Sequence, residues 1–117
     1  MDGFSVELVP CDLDKVAIVR PVGSIDAAAA PILESHFKTF YDKGTTKIVL
    51  DFSKANFISS AGIGILLGSV SLLRETRGDI YFMNVPPHIE DVFDIINLKS
   101  FFVTIGSVDE LESPAAS

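Results

Sequence analysis

The run Ile48-Val49-Leu50, inside the segment Lys47 to Phe52, most narrows the folds open to this chain. Three consecutive aliphatic residues leave no polar face, so the segment suits a central strand covered on both sides. Segments of helical spacing flank it. Before it, Leu33, Phe37, Phe40 and Tyr41 recur on one helical face, and Gly44 ends the series. After it, Ile63, Leu66, Leu67, Val70 and Leu73 form a second stripe. That helix starts near Ala61 or Gly62, carries Arg74 and Arg77 toward its negative pole and stops at Gly78. Strands joined through helices pair in parallel, because the crossover returns the chain to the same end of the sheet.

The remaining segments extend this pattern. Phe4, Val6 and Leu8 alternate with Ser5, Glu7 and Val9, which predicts a half-buried strand. Val16 through Val22 predicts a second strand ended by Gly23, and the short connection through Cys11 to Asp14 predicts a hairpin. Asp26 is placed to cap or precede the first helix, and Pro31 must lie near its first turn, since proline has no backbone N–H. Ile80 to Met83 predicts a further strand. Pro86-Pro87 then opens a third helix, buried along Ile89, Val92, Phe93 and Ile96 and wet along Glu90, Asp91 and Asp94. Phe101 to Ile105 predicts the last strand. Ser107, with Glu110 three residues on, predicts a short capped final helix. The fold class is α/β: one domain over residues 1–112, a mixed, mostly parallel sheet with helices, in the order β-β-α-β-α-β-α-β-α. Residues 113–117 read as a flexible C-terminal tail.

Composition removes several function classes. The chain has 117 residues, 48% of them hydrophobic, enough for one domain with a real core. The apolar residues come in short runs, so no membrane span is expected. The N-terminus lacks the basic and apolar regions of a signal peptide, which points to a reducing, cytoplasmic location. A net charge of −7 and the absence of any basic cluster argue against nucleic acid as a partner. Cys11 is the sole cysteine and cannot form an internal disulfide. One cysteine and two separated histidines, His36 and His88, offer no metal-ligand spacing. No G-x-S-x-G elbow accompanies the serines, so hydrolysis is disfavoured and no catalytic residue is assigned. Asp26 and Asp51 are carboxylates at the ends of apolar segments, where capping is the common role. Gly62, Gly64 and Gly68 are spaced G-x-G-x-x-x-G with no Lys-Ser/Thr after them, so they do not make a phosphate loop and no cofactor is assigned.

The informative segment is Asp51-Phe52-Ser53-Lys54-Ala55-Asn56-Phe57-Ile58-Ser59-Ser60-Ala61-Gly62-Ile63-Gly64. A strand ends, a short loop follows, and a helix starts at two adjacent serines. Such a start exposes free N–H groups and a partial positive charge, which favour a phosphate. A phosphoserine there would bring about −1.5 to −2 charges onto a surface otherwise lined by Ile63, Ile65 and Leu67. The plainer alternative is that Ser59 or Ser60 only caps the helix. Ile65, Ser69, Leu72 and Thr76 form a second helical face, partly apolar; it either contacts a partner or lies under the neighbouring helix.

These residues, together with Gly23-Ser24-Ile25-Asp26, Gly78-Asp79-Ile80 and Val92-Phe93 through Leu98, resemble the signature of STAS domains, and within them bacterial anti-sigma factor antagonists. The resemblance covers nearly the whole chain. It implies a cytoplasmic regulator, not an enzyme, that binds an anti-sigma factor, itself often a serine protein kinase. Phosphorylation of a serine at the start of the second helix ends that binding, and a phosphatase restores it. The family motif D-S-S/T-G puts the modified serine at Ser60. Here Ser59 stands where the motif has aspartate, and Ala61 where it has a second hydroxyl residue, which makes Ser59 a second candidate. The partner surface implied comprises Asp26, Ser59, Ser60, Ala61, Gly62, Ile63, Gly64, Ile65, Ser69 and Leu72. The alternative is a STAS scaffold that is not phosphorylated and serves a sensor or transport complex.

Overall fold

The structure, a computed structural model, describes residues 3–111. The predicted tail at 113–117 lies outside the described residues. Strands β1 (Ser5–Val9), β2 (Val16–Ile25), β3 (Lys47–Asp51), β4 (Ala55–Ile58), β5 (Asp79–Met83) and β6 (Val103–Ile105) form one sheet. Helices α1 (Ala30–Asp42), α2 (Ser60–Arg74) and α3 (Pro87–Ile95) connect them, and a 3-10 turn, Val108–Leu111, follows β6. The α/β class and the mixed sheet expected from the sequence are present, with one strand added and the final helix reduced to that 3-10 turn. There, Glu110 accepts the Gly106 and Ser107 N–H groups, the returning half of the capping box.

The sheet runs β1-β2-β3-β5-β6, with β1 antiparallel to β2 and the other pairs parallel. Along β2, β3, β5 and β6 the chain advances toward the same edge, and β4 lies off this path beside β2. Right-handed crossovers then place every helix on one face of the sheet. The core agrees: Leu33 and Phe37 from α1, Leu66, Val70 and Leu73 from α2, and Ile89 and Phe93 from α3 share one cluster with Ile48, Leu50 and Phe82. The other face of β3 is buried too. Val49 lies in register between Ile18 and Tyr81 and is fully covered. Four phenylalanines, Phe52, Phe82, Phe93 and Phe102, fill the α3 side, with Phe82 stacked on Phe102 at 4.4 Å between ring centres.

The structure departs from the sequence expectations at several points. Gly23 does not end β2. Its positive φ of 107° makes a bulge at which the register shifts, and the strand runs on to Ile25. The extension lets β2 leave β3 and pair in parallel with β4, a strand the sequence left as loop. The second helix begins one residue earlier than expected, at Ser60. Leu8, on the edge strand, is 53% exposed rather than half-buried. Ile96 falls beyond α3 and is also exposed. The last strand starts at Val103, because Phe101 and Phe102 close a turn onto the Leu98 carbonyl. Gly44 ends α1 as expected: its N–H bonds to Tyr41 O and that of Thr45 to Phe40 O, a Schellman closure.

Candidate functional site

The site is built where β2 and β4 end side by side. Ser59 N–H donates to Ile25 O at 2.9 Å, which ties the end of β4 to the end of β2. Ser59 keeps an extended backbone, its carbonyl accepts Ile63 N–H, and its Oγ accepts Gly62 N–H at 3.2 Å. It is therefore the N-cap of α2. Ser60 is the first helical residue. It is exposed, and its hydroxyl has no hydrogen-bond partner among the described residues. The N–H groups of Ser60 and Ala61 are likewise unpartnered there, so two donors and the positive helix end face outward beside a free hydroxyl.

Gly62 explains how the helix starts so close to the sheet. A Cβ at this position would stand 2.8 Å from Ile25 O and 2.9 Å from both Ile25 Cγ2 and Ile58 Cγ1. Only glycine allows that approach. Gly64 and Gly68 differ, since a Cβ at either would meet nothing within 4 Å. Of the three glycines, Gly62 alone serves close helix–sheet packing, and the other two face outward.

Asp26 sits across from this loop. Its Oδ1 accepts the N–H groups of Ala28 and Ala29 at 3.1 and 2.9 Å, and its carbonyl accepts Ala30 N–H. It caps the turn leading into α1, while Ala29 is the helix N-cap itself. Asp26 also lines a groove of about 420 Å³, with Gly3, Phe4, Gly23, Ser24, Ala28, Ala29, Ile32 and Asn56. Among the described residues no cation lies within ion-pair distance of it. Two exposed apolar residues escaped the sequence reading. Phe57, on β4, is 51% exposed, and Ile32, on the groove wall, is 46% exposed. Ile32 lies off the Leu33–Phe37 stripe, which was the available signal; Phe57 gave none, because β4 itself was not recognised.

The partner residues named from the sequence do not all come together. Ser60, Ala61 and Gly64 are exposed, and Ile65 is half-buried beside them. Ile63 is partly buried against the core, and Gly62 is buried. Ser69 is only 7% exposed, and with the half-buried Leu72 it lines a groove of about 250 Å³ between α1 and α2, alongside Glu34, Phe37 and Lys38. Of the two alternatives for the second helical face, its middle lies under the neighbouring helix.

A charged network supports the site from beneath. Asp51 is 3% exposed and accepts from Arg20 Nε at 3.0 Å, Ser53 N–H at 2.9 Å and Asn84 Nδ2 at 3.0 Å. Arg20 also reaches Glu7 at 2.9 Å. Burial opposes ionisation of Asp51, but the hydrogen bonds from Asn84, Ser53 and Arg20 together outweigh it and hold the carboxyl below its usual range. The same guanidinium, with help from Lys54, lowers Glu7. His88, at the start of α3, contacts Asn56 O through Nε2 at 2.7 Å, and His36 lies on α1. Neither histidine bonds to a serine, and the described residues hold no cluster of three metal ligands. The arrangement offers an exposed, partly apolar surface and an anion-favouring helix end, without a nucleophile–base pair among the described residues.

Comparison with known proteins agrees with this geometry. The STAS domain model matches residues 12–111. BtrV of Bordetella bronchiseptica, named as a candidate anti-sigma factor antagonist, is 32% identical over 95 residues, covering 81% of this chain and 82% of that protein. An anti-sigma factor antagonist from Mycobacterium paratuberculosis superposes with a TM-score of 0.75 at 24% identity, covering 91% of this chain and 90% of the other. The Bacillus cell fate determinant SpoIIAA, in its phosphorylated form, superposes with a TM-score of 0.71 at 21% identity over 92% of this chain and 97% of its own. Those two likenesses establish the shared fold. Among the described residues no helix is long and apolar enough to cross a membrane. With the family model spanning nearly all of the described residues and one relative above 30% identity over most of both lengths, the chain belongs to the STAS domain family, alongside relatives that are anti-sigma factor antagonists.

Proposed function

We propose that the chain is a cytoplasmic anti-sigma factor antagonist switched by phosphorylation of Ser60. Its unphosphorylated form binds an anti-sigma factor, itself a serine protein kinase, through the exposed start of α2 and the neighbouring Asp26, Ile32 and Phe57. The observation that carries this reading is the division of labour between the two serines. Ser59 Oγ is engaged by Gly62 N–H, while the Ser60 hydroxyl is exposed and unpartnered among the described residues. That difference supports Ser60 over Ser59 as the modified residue. The existence of a phosphorylated form of SpoIIAA, a protein of the same fold, fits the reading.

Magnitudes indicate how the switch would act. A phosphate at the helix start gains about 0.3–1 kcal/mol from the helix dipole, so the fold tolerates it. Burying that same charge in an apolar interface without a partner costs several kcal/mol. Binding is therefore lost while folding is kept, and a phosphatase reverses the change. No step requires catalysis by this chain.

Incubation with ATP and the cognate kinase, followed by mass mapping, tests the site: modification confined to residues other than Ser60 sinks it. Ser60→Asp should weaken capture of the anti-sigma factor at least tenfold, and unchanged affinity would falsify the docking mechanism. A second reading, a STAS scaffold that is never phosphorylated, is favoured by Ser59 in place of the motif's aspartate. It predicts no incorporation of phosphate with any kinase that binds the chain.

A further inference from the structure

Asp51 has no part in docking or phosphate transfer as proposed above, yet among the described residues it is the one buried charged side chain. A buried ion pair rarely stabilises a fold more than apolar residues of the same volume would, so its presence calls for a geometric reason. The three hydrogen bonds supply one. Oδ1 accepts Ser53 N–H, from the turn between β3 and β4, and Asn84 Nδ2, from the loop between β5 and α3. Oδ2 accepts Arg20 Nε from β2. One carboxylate thus joins a strand, a turn and a loop, with sequence separations of 31 and 33 residues to Arg20 and Asn84.

β4 needs such support. It has four residues, pairs with β2 alone, and buries only Ala55 and Ile58. A short strand with so little burial sits at the low-stability end of a structure. The Asn84 loop leads through Pro86-Pro87 to His88, which contacts Asn56 O in the middle of β4. The strand is thereby held at its entry by the Asp51 turn and at its centre from α3, and its exit is Ser59.

We infer that Asp51 is a positioning residue for the serine loop: with Asn84 it braces the β3–β4 turn against the β5–α3 loop, and so fixes β4 and the Ser59 cap that presents Ser60. The consequence for partner binding rests on the function proposed above; the brace itself does not.

Amide hydrogen exchange on the free chain tests it. Two reporters lie at the ends of β4: Ala55 N–H, bonded to Phe52 O, and Ser59 N–H, bonded to Ile25 O. Leu33 N–H and Gly78 N–H serve as controls elsewhere in the fold. Asn84→Gly keeps the left-handed backbone at this position and removes only the strut. Exchange at Ala55 and Ser59 should rise about tenfold, with the controls within about twofold. Asp51→Asn, which turns a donor toward Arg20, should raise it further. If Asp51→Asn does not fold, Asn84→Gly decides alone. No rise at the reporters, or an equal rise at reporters and controls, overturns the proposal. A result against Ser60→Asp would remove the function and leave this outcome intact, because no partner enters the measurement.

Discussion

The starts of α1 and α2 lie near each other and solve the same problem differently. The turn into α1 is closed by a carboxylate, Asp26, whose Oδ1 takes two backbone N–H groups. The start of α2 is closed by a neutral hydroxyl, Ser59, which takes one. A carboxylate offsets the positive helix end with a full charge, whereas a hydroxyl leaves that end free to attract an anion. Ser60 stands at the end without the carboxylate. Ser60 thus follows the cap that carries no charge, and in this chain that cap is the residue where the family motif has aspartate.

Several substitutions would break or sharpen this contrast. The largest effect should come from Gly62→Ala. Its Cβ would collide with Ile25 and Ile58, so α2 could not start where it does; we expect a loss of about 2 kcal/mol in denaturant unfolding, despite the better helix propensity of alanine. Gly64→Ala, two residues on and facing open space, should instead raise stability by about 0.5–1 kcal/mol. Similar losses for both would remove the special status of the Gly62 contact.

Cap removal should cost less. Ser59→Ala and Asp26→Ala should each lower stability by about 1 kcal/mol, measured by the same unfolding curves. The two should separate in salt. The Asp26 contribution includes a charge–dipole part that weakens as ionic strength rises, while the Ser59 contribution holds. Equal salt dependence would mean that the two ends do not differ electrostatically.

The smallest effect is the most diagnostic. Ser60→Asp should stabilise the free chain by about 0.5 kcal/mol, because the added charge meets an uncompensated helix end. In a Ser59→Asp background the gain should vanish, since two carboxylates would then crowd the same turn. A thermal-melt cycle with no coupling between the two changes would contradict the picture of an uncompensated helix end.

Much of the fold was legible locally. The buried Ile48-Val49-Leu50 run, the Leu33–Phe37 stripe, the Gly44 stop and the Pro86-Pro87 start each act through a few neighbouring residues, and each stands where the sequence puts it. The serine motif was equally visible, because a helix cap is written within four residues.

What the sequence by itself determined, then, is the three α-helices, most of the strands, their α/β class, and a helix that opens on paired serines. Tertiary structure alone decided how those pieces serve the site. β4 forms because β2 bulges at Gly23 and lends it an edge, and the stretch Ala55-Asn56-Phe57-Ile58 has no strong pattern of its own. Ser69 is buried because α1 lies over it. Asp51 is placed by partners more than thirty residues away. The two serines look alike in sequence and part company only because Gly62 can approach Ile25, which turns Ser59 inward as the cap and leaves Ser60 outside. Local chemistry selects elements; contacts distant in the chain settle which side chain is held and which is left free.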